Sequence, residues 1–203
     1  MHAACETSLA SVLAGDPGTT AENVQARLRC LVLMAFVNRR GGILLNTSNK
    51  TELALGYGTL YGDLAGGLAV IADLTKTEVY SLARHYDRSR GGGVTPPFVL
   101  ERPPSAELKP DQVDPFDYPH ISPLTEPLID GSPLEALVQA GTTPEEVARL
   151  DSIVRSTEHK RRQGAIALKV SRTSFGPGRL LPVTNRYVRG RIELEATGRG
   201  GGR

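Results

Sequence analysis

The chain contains no tryptophan, and aromatic residues make up only 5% of its 203 positions. Its two cysteines, Cys5 and Cys30, are too few for a disulfide framework, so a reducing compartment is expected. Cys30 sits in an apolar helical run and reads as core rather than as a nucleophile. No apolar run reaches the roughly 18 residues of a membrane-spanning helix. A basic start followed by a long apolar stretch is also missing, so no secretory signal is expected and the setting reads as cytoplasmic. The excess of one charge sign is small overall, with a net of +2, yet basic residues outnumber acids from Arg155 onward. That basic end reads either as a solvated surface or as a surface for phosphates or nucleic acid. A nucleic-acid reading rests on the Gly-Arg pattern of Arg189–Arg203, and the lack of interleaved aromatics there stands against it.

What is present describes a globular chain: 39% hydrophobic and 23% charged residues. Its 22 glycines and 14 prolines gather in Gly91–Pro97, Pro103–Pro123 and Gly198–Gly202, which read as loop or tail. Residues 1–19 form a weakly patterned start, in which Leu9, Val12 and Leu13 fit a helix end and Gly15-Asp16-Pro17-Gly18 a turn. Thr19 or Thr20 then caps a helix of about five turns, with Val24, Leu28, Leu31 and Ala35 as its apolar stripe and Gly41-Gly42 as its stop. The apolar run Ile43-Leu44-Leu45 predicts a central parallel strand.

Thr75-x-x-Glu78 fits a capping box ahead of a helix whose apolar face is Val79, Leu82, Ala83 and Tyr86. A long loop is expected from Arg88 to Pro123, a length that in a compact domain often serves as a lid. Ser132-Pro133-x-Glu135 and Thr143-Pro144-x-Glu146 each place a cap, a first-turn proline and an acid, predicting two more helices. Leu168 to Tyr187 shows short alternating pieces, and residues 188–203 are expected to be a disordered basic tail. Strand–helix alternation makes the chain α/β, but with one or two visible strands the sheet is thin and looks incomplete.

Several residues stand where site chemistry is possible. Lys76 occupies the first turn of the capped helix, where a cation opposes the positive end of the dipole unless an anion lies between them. It reads either as an exposed lysine whose stem covers apolar surface or as part of a phosphate site. Thr47 and Ser48 follow the strand and are either N-caps of a helix starting near Lys50 or hydroxyls facing a ligand crevice. Glu52 serves the dipole of that helix, or contacts a metal or a ligand amide, while Asp63 after Gly62 reads as a turn former. Asn23 and Arg27 lie one helical turn apart, Arg27 being either a rim residue or an anion clamp. His159-Lys160-Arg161-Arg162 reads first as a basic run favoured by a helix C-terminus.

Taken together these segments resemble the NAD⁺ synthetase family. The likeness is carried by Glu22-Asn23-Val24-Gln25-Ala26-Arg27-Leu28-Arg29, by Leu44 through Asp63, and by Leu74-Thr75-Lys76-Thr77-Glu78-Val79-Tyr80. It continues in Pro103 through Gln112, Glu158-His159-Lys160-Arg161-Arg162-Gln163, Leu168-Lys169-Val170 and Leu181-Pro182-Val183-Thr184-Asn185-Arg186. It spans roughly Ala21–Tyr187 and is nearest to the synthetase module of glutamine-dependent enzymes, so residues 20–187 are taken as a partial synthetase domain. The resemblance implies an adenine-nucleotide α-hydrolase-like (ATP-pyrophosphatase type) fold and the Mg·ATP-dependent amidation of deamido-NAD⁺ through an adenylate. It implies ATP contacts at Thr47, Lys76 and Ser105, and deamido-NAD⁺ contacts at Asn23, Arg27, Glu52, His159 and Lys160. Glu52 would also face magnesium, and ammonia would come from a glutaminase domain in an enzyme expected to be a homo-oligomer.

The chain departs from that family in several respects. The pyrophosphate-cradling Ser-Gly-Gly-x-Asp-Ser loop does not occur: Gly41-Gly42, Gly66-Gly67 and Gly91–Gly93 have no Ser/Asp frame. No glutaminase cysteine context is present either, and Gly164-Ala165-Ile166-Ala167 stands where the family has Ala-Pro-Pro-Gly. The expectation is a C-terminal portion of a glutamine-dependent NAD⁺ synthetase that is inactive alone. The alternative is a non-catalytic nucleotide-binding half completed by a separately encoded partner.

Overall fold

A computed structural model describes residues 1–15, 18–139 and 141–184. The expected tail at 188–203 and the turn residues Asp16 and Pro17 lie outside the described residues. In chain order come α1 (His2–Ser8), α2 (Ala10–Leu13), α3 (Thr20–Arg40), β1 (Leu45–Asn46), α4 (Lys50–Leu55) and β2 (Leu68–Ala69). There follow α5 (Lys76–Ser89), α6 (Pro97–Glu101), α7 (Tyr118–Asp130), α8 (Leu134–Gln139), α9 (Pro144–Ser156), α10 (Glu158–Arg161) and β3 (Ile166–Ala167).

The sheet has three parallel strands in the order β1-β2-β3, with Leu45 beside Leu68 and Leu68 beside Ile166. The α/β class is therefore as expected, with one strand, β3, more than the sequence revealed. The apolar run at Ile43-Leu44-Leu45 does not form a central strand. Its strand is Leu45–Asn46, at the sheet edge, with Ile43 57% and Leu45 51% exposed. Parallel sheets are normally covered on both faces, yet Ile166 (71%) and Val170 (69%) also stand in solvent.

The expected stripe of α3 behaves the same way. Gly41 stops the helix with a positive φ of 76°, but only Ala26 is buried along the helix, and Leu31 and Ala35 are exposed. Its apolar residues have the right period, yet Leu31, Val32, Leu33, Met34 and Phe36 remain exposed.

Two apolar clusters hold the rest. Leu53, Ala54, Leu64, Ala69, Ala72, Ile129, Val154, Phe175 and Leu181 pack beneath the sheet. Leu55, Ile121, Leu124, Leu128, Leu134, Leu137, Val147 and Leu150 join α4, α7, α8 and α9. The short α4 is shared by both clusters, with Lys50, Thr51, Leu53, Ala54 and Leu55 all buried. It ends at Gly56, whose left-handed backbone (φ 61°) passes so close to Thr157 that an added Cβ would lie 2.3 Å from Cγ2.

The long loop expected to Pro123 ends earlier. α7 begins at Tyr118 and carries Pro119 in its first turn and Pro123 and Pro127 inside. Pro123 and Pro127, one helical turn apart, lie off the buried face, and Tyr118, Ile121, Leu124, Leu128 and Ile129 bury enough apolar surface to hold the helix despite the lost amide donors.

Candidate functional site

The helix that follows β1 is capped by Asn49, not by Thr47 or Ser48. The Asn49 side chain accepts the Glu52 amide at 3.0 Å, and Glu52 Oε2 accepts the Asn49 amide at 3.0 Å, a complete capping box. Ser48 turns inward, its amide donating to Asn46 Oδ1 at 2.8 Å, while Thr47 stays exposed at the strand end. The capping box at Thr75 forms as its spacing required. The Lys50 amide donates to Leu74 O at 2.7 Å and the Lys76 amide to Thr51 Oγ1 at 3.2 Å, so the N-termini of α4 and α5 lie side by side.

That arrangement brings two of the expected site residues together. Lys76 Nζ lies 2.8 Å from Glu52 Oε1, and 5.0 Å from the centroid of the Tyr118 ring. The pair places a cation and an anion at adjacent helix N-termini on the carboxyl side of β1 and β2, the position where open α/β sheets take ligands. Both dipoles favour an anion there, so a phosphate drawn to the site would meet amide donors and the ammonium together.

Two cavities flank these helices. The larger, about 540 Å³, is lined by Lys76, Thr77, Tyr80, Arg84, Arg102 and Tyr118 among others. The smaller, about 200 Å³, is lined by Glu22, Asn23, Tyr57, Thr59, Asp63 and Lys160 among others. Asn23 Oδ1 accepts from Thr59 Oγ1 at 2.7 Å, and Lys160 Nζ donates to Gly56 O and Gly58 O at 2.8 and 2.9 Å. Burial pushes the Lys160 ammonium below its ordinary value, opposed by the nearby Asp63 carboxylate. Asp63 is the turn former expected, with Oδ1 accepting the Thr59 amide at 2.6 Å.

The remaining expected residues are more scattered. Arg27 donates to Leu60 O at 3.1 Å from an exposed position, and His159, also exposed, meets Ser156 O at 2.9 Å. Ser105 lines a third cavity, of about 710 Å³, with Arg102, Lys109 and Gln112, and its hydroxyl accepts the Glu107 amide at 3.0 Å. Thr47, Lys76 and Ser105 thus do not share one cavity in this structure.

Magnesium was expected at Glu52. Oε2 of that carboxylate takes the Asn49 amide and Oε1 takes the Lys76 ammonium, so a cation already occupies the open oxygen. Among the described residues no group of three or more His, Cys, Asp or Glu gathers. The residues present do not fit a resident magnesium site.

Sequence reasoning missed a buried polar cluster. Lys50, read only as a helix start, is fully buried, 3.0 Å from Asp73 Oδ1 and 2.7 Å from Ser171 Oγ, and is paired with Glu126. Asp73 also accepts the amides of Val170 and Ser171 at 2.7 Å each. Burial alone would raise the Asp73 carboxyl, but those amides, Lys50 and the Ser171 hydroxyl outweigh it and hold it below its ordinary value. Within the basic run, Arg161 was read only as part of a helix end. It turns inward to Leu53 O at 3.0 Å, Ala54 O at 3.3 Å and the buried Glu158 at 3.1 Å, capping α4 from below. No local sequence signal distinguishes these residues from solvated lysines and arginines.

A parallel α/β domain with an anion-favouring crevice at its strand ends has the architecture in which open sheets take ligands. The chain belongs to the NAD synthase family: the model of that family, described as NAD synthase, matches residues 4–164. It is 41% identical over 197 residues to the glutamine-dependent NAD(+) synthetase of Thermotoga maritima, covering 92% of this chain and 33% of that protein. With the enzyme of the same name from Synechocystis it shares 44% identity over 180 residues, covering 84% of this chain and 31% of the relative. The chain therefore spans about a third of the length of these curated relatives. Among solved structures, NMN synthetase from Francisella tularensis superposes with a TM-score of 0.61 at 27% identity, over 83% of this chain and 63% of that one. The glutamine-dependent NAD(+) synthetase of Cytophaga hutchinsonii superposes with a TM-score of 0.67 over 91% of this chain and 32% of that one; at 23% identity it bears on the fold alone. No helix among the described residues is long and apolar enough to cross a membrane.

Proposed function

We propose that this chain forms synthetase-side walls of a glutamine-dependent NAD⁺ synthetase, which converts deamido-NAD⁺ to NAD⁺ with ATP and ammonia. In this reading the deamido-NAD⁺ carboxylate attacks the α-phosphorus of ATP, pyrophosphate leaves, and ammonia then displaces AMP from the acyl adenylate. ATP takes the larger cavity beside Lys76, with Thr47 and Ser105 closing on it, and magnesium arrives bound to the ATP phosphates. Deamido-NAD⁺ takes the smaller cavity at Asn23 and Lys160, with Arg27, Glu52 and His159 around it. The chain's own contribution is positional and electrostatic: Glu52 holds the Lys76 ammonium, and that ammonium offsets charge building on the reacting phosphate. A glutaminase domain supplies ammonia, and a cytoplasmic homo-oligomer is the setting proposed for the full enzyme.

The observation that carries this is the Lys76–Glu52 pair at two adjoining helix N-termini, with one cavity at Lys76 and a second at Asn23 and Lys160. Calorimetric titration of the chain with Mg·ATP and with deamido-NAD⁺ tests it. Lys76→Ala should weaken ATP and spare the dinucleotide, and Asn23→Ala should do the reverse. Binding of neither ligand would end this reading. With ammonia, ATP and deamido-NAD⁺ the chain alone should make no NAD⁺, since the Ser-Gly-Gly-x-Asp-Ser loop is not in its sequence.

A second reading is favoured by the sheet. Two edge strands with Leu45 and Ile166 in solvent, and exposed Ile43 and Val170 beside them in the chain, suit a nucleotide-binding half completed by a separately encoded α/β partner. Synthesis restored by adding such a polypeptide in trans would separate this reading from the first.

A further inference from the structure

The segment between α6 and α7 forms a wall of both cavities. Pro103, Pro104, Val113 and Phe116 line the larger, and Ala106 and Leu108 line the smaller. One residue of that segment, Asp114, touches a tyrosine of each cavity. Its Oδ1 accepts from Tyr57 OH at 2.9 Å and its Oδ2 from Tyr118 OH at 2.9 Å. Tyr57 lines the smaller cavity and Tyr118 the larger. The Asp114 amide donates to Pro104 O at 2.9 Å, closing the segment into a loop on itself.

The rings are packed as tightly as the carboxylate is bonded. Phe116 meets Tyr57 edge-on at 5.1 Å between centroids and lies 6.0 Å from Tyr118. The Tyr118 ring in turn faces the Lys76 ammonium at 5.0 Å. Burial, together with Asp114, pushes both phenols above their ordinary value, so both remain donors throughout the physiological range. A carboxylate holding two phenols, one on each oxygen, fixes the two rings relative to each other, because neither hydroxyl can move without lengthening a charge-assisted bond.

We propose that Asp114 is a positioning residue that couples the two cavities, clasping Tyr57 and Tyr118 so that a ligand filling one cavity sets the geometry of the other. The path runs from Tyr57 through Asp114 to Tyr118 and on to Lys76, two rings and one carboxylate long. The identity of the ligands rests on the function proposed above; the clasp itself does not.

The test therefore has two arms on the full chain. In the first, hydrogen exchange is followed at the Tyr57 and Gly58 amides on one side and at the His120 and Ile121 amides on the other. Tyr118→Phe should speed exchange at Tyr57 and Gly58 on the order of tenfold, and Tyr57→Phe should do the same at His120 and Ile121, the factor set by one hydrogen bond to a charged group. A purely local packing role would speed exchange only beside the deleted hydroxyl, and that result overturns the proposal. Each variant removes a single oxygen, so the test stands even if Asp114→Ala does not fold.

In the second arm, Mg·ATP affinity is measured with and without saturating deamido-NAD⁺. The wild-type chain should show a change of about fivefold or more, the lower range of site-to-site coupling, and Asp114→Asn should abolish most of it. Asparagine keeps the volume but is neutral and offers one acceptor oxygen in place of two, so both phenols can no longer donate to a charged carboxylate. Equal coupling in wild type and Asp114→Asn overturns the proposal, as does binding of both nucleotides with no coupling. If the wild-type chain binds neither nucleotide, the functional reading fails while the exchange arm still decides the clasp.

Discussion

The ammonium of Lys50 lies 3.0 Å from Asp73 Oδ1 with both side chains wholly withdrawn from solvent. Glu126 and Ser171 share the same ammonium, so one lysine ties α4 to the turn before α5, to α7 and to the segment after β3. Taking such charges out of water is costly, and only the complete set of donors and acceptors offsets that cost.

Breaking the set from one side should therefore be worse than removing it. Asp73→Ala should destabilise the chain by about 3–5 kcal/mol, as should Lys50→Met. The double variant Lys50→Met/Asp73→Leu should cost clearly less than the sum, because neither charge is left alone. Denaturant midpoints of the three variants check this; strict additivity would mean that the two groups do not interact.

The same pair sets an acid limit. Asp73 has its carboxyl held below the ordinary value of 3.8, so its contribution is complete above that value. It is lost as the pH falls from there through the lower folded value. Unfolding free energy measured against pH should drop in that window for the wild type, and Asp73→Asn should lack that component of the drop.

Arg161 closes the base of α4. Its guanidinium serves Leu53 O, Ala54 O and Glu158 at once and lies 4.7 Å from the Phe175 ring centroid. Arg161→Ala should cost about 3–5 kcal/mol by leaving buried Glu158 with Arg162 alone. Arg161→Lys should recover little, since an ammonium cannot reach diverging acceptors with a planar fork. Thermal unfolding of both variants decides it.

In the crevice, Lys76→Ala should reduce Mg·ATP affinity by about 10- to 100-fold, the range for a hydrogen bond to a charged group. Glu52→Gln should reduce it less, because the ammonium remains but loses the carboxylate that holds it. Isothermal titration of both measures the order; a larger loss for Glu52→Gln would make the carboxylate the primary contact.

Much of the local structure was legible because its signals are local. Thr75 with Glu78 and Thr143 with Glu146 cap helices as their spacing required, and Gly41 stops α3. Asn49 displaced Thr47 and Ser48 as the cap of α4 because Ser48 is drawn inward by Asn46, a contact that pattern alone does not rank. The expected loop through Pro123 failed for a related reason: proline content signals a break, whereas α7 is held by the apolar residues that alternate with its prolines.

What the sequence by itself determined is the α/β class, the family and the caps at Thr75 and Thr143, all of which rest on residues within a few positions of one another or on ordered motifs. What only the tertiary structure decided is which charges are buried. Lys50, Asp73 and Arg161 look like any solvated residues in sequence, and become parts of the core because partners 23 to more than 100 positions away supply the compensating bonds. The same holds for Asp114, whose significance lies in two tyrosines on either side of it in space, one 57 positions earlier and one 4 later. Burial and long-range pairing depend on how elements pack, and packing is a property of the folded chain that no short stretch of it encodes.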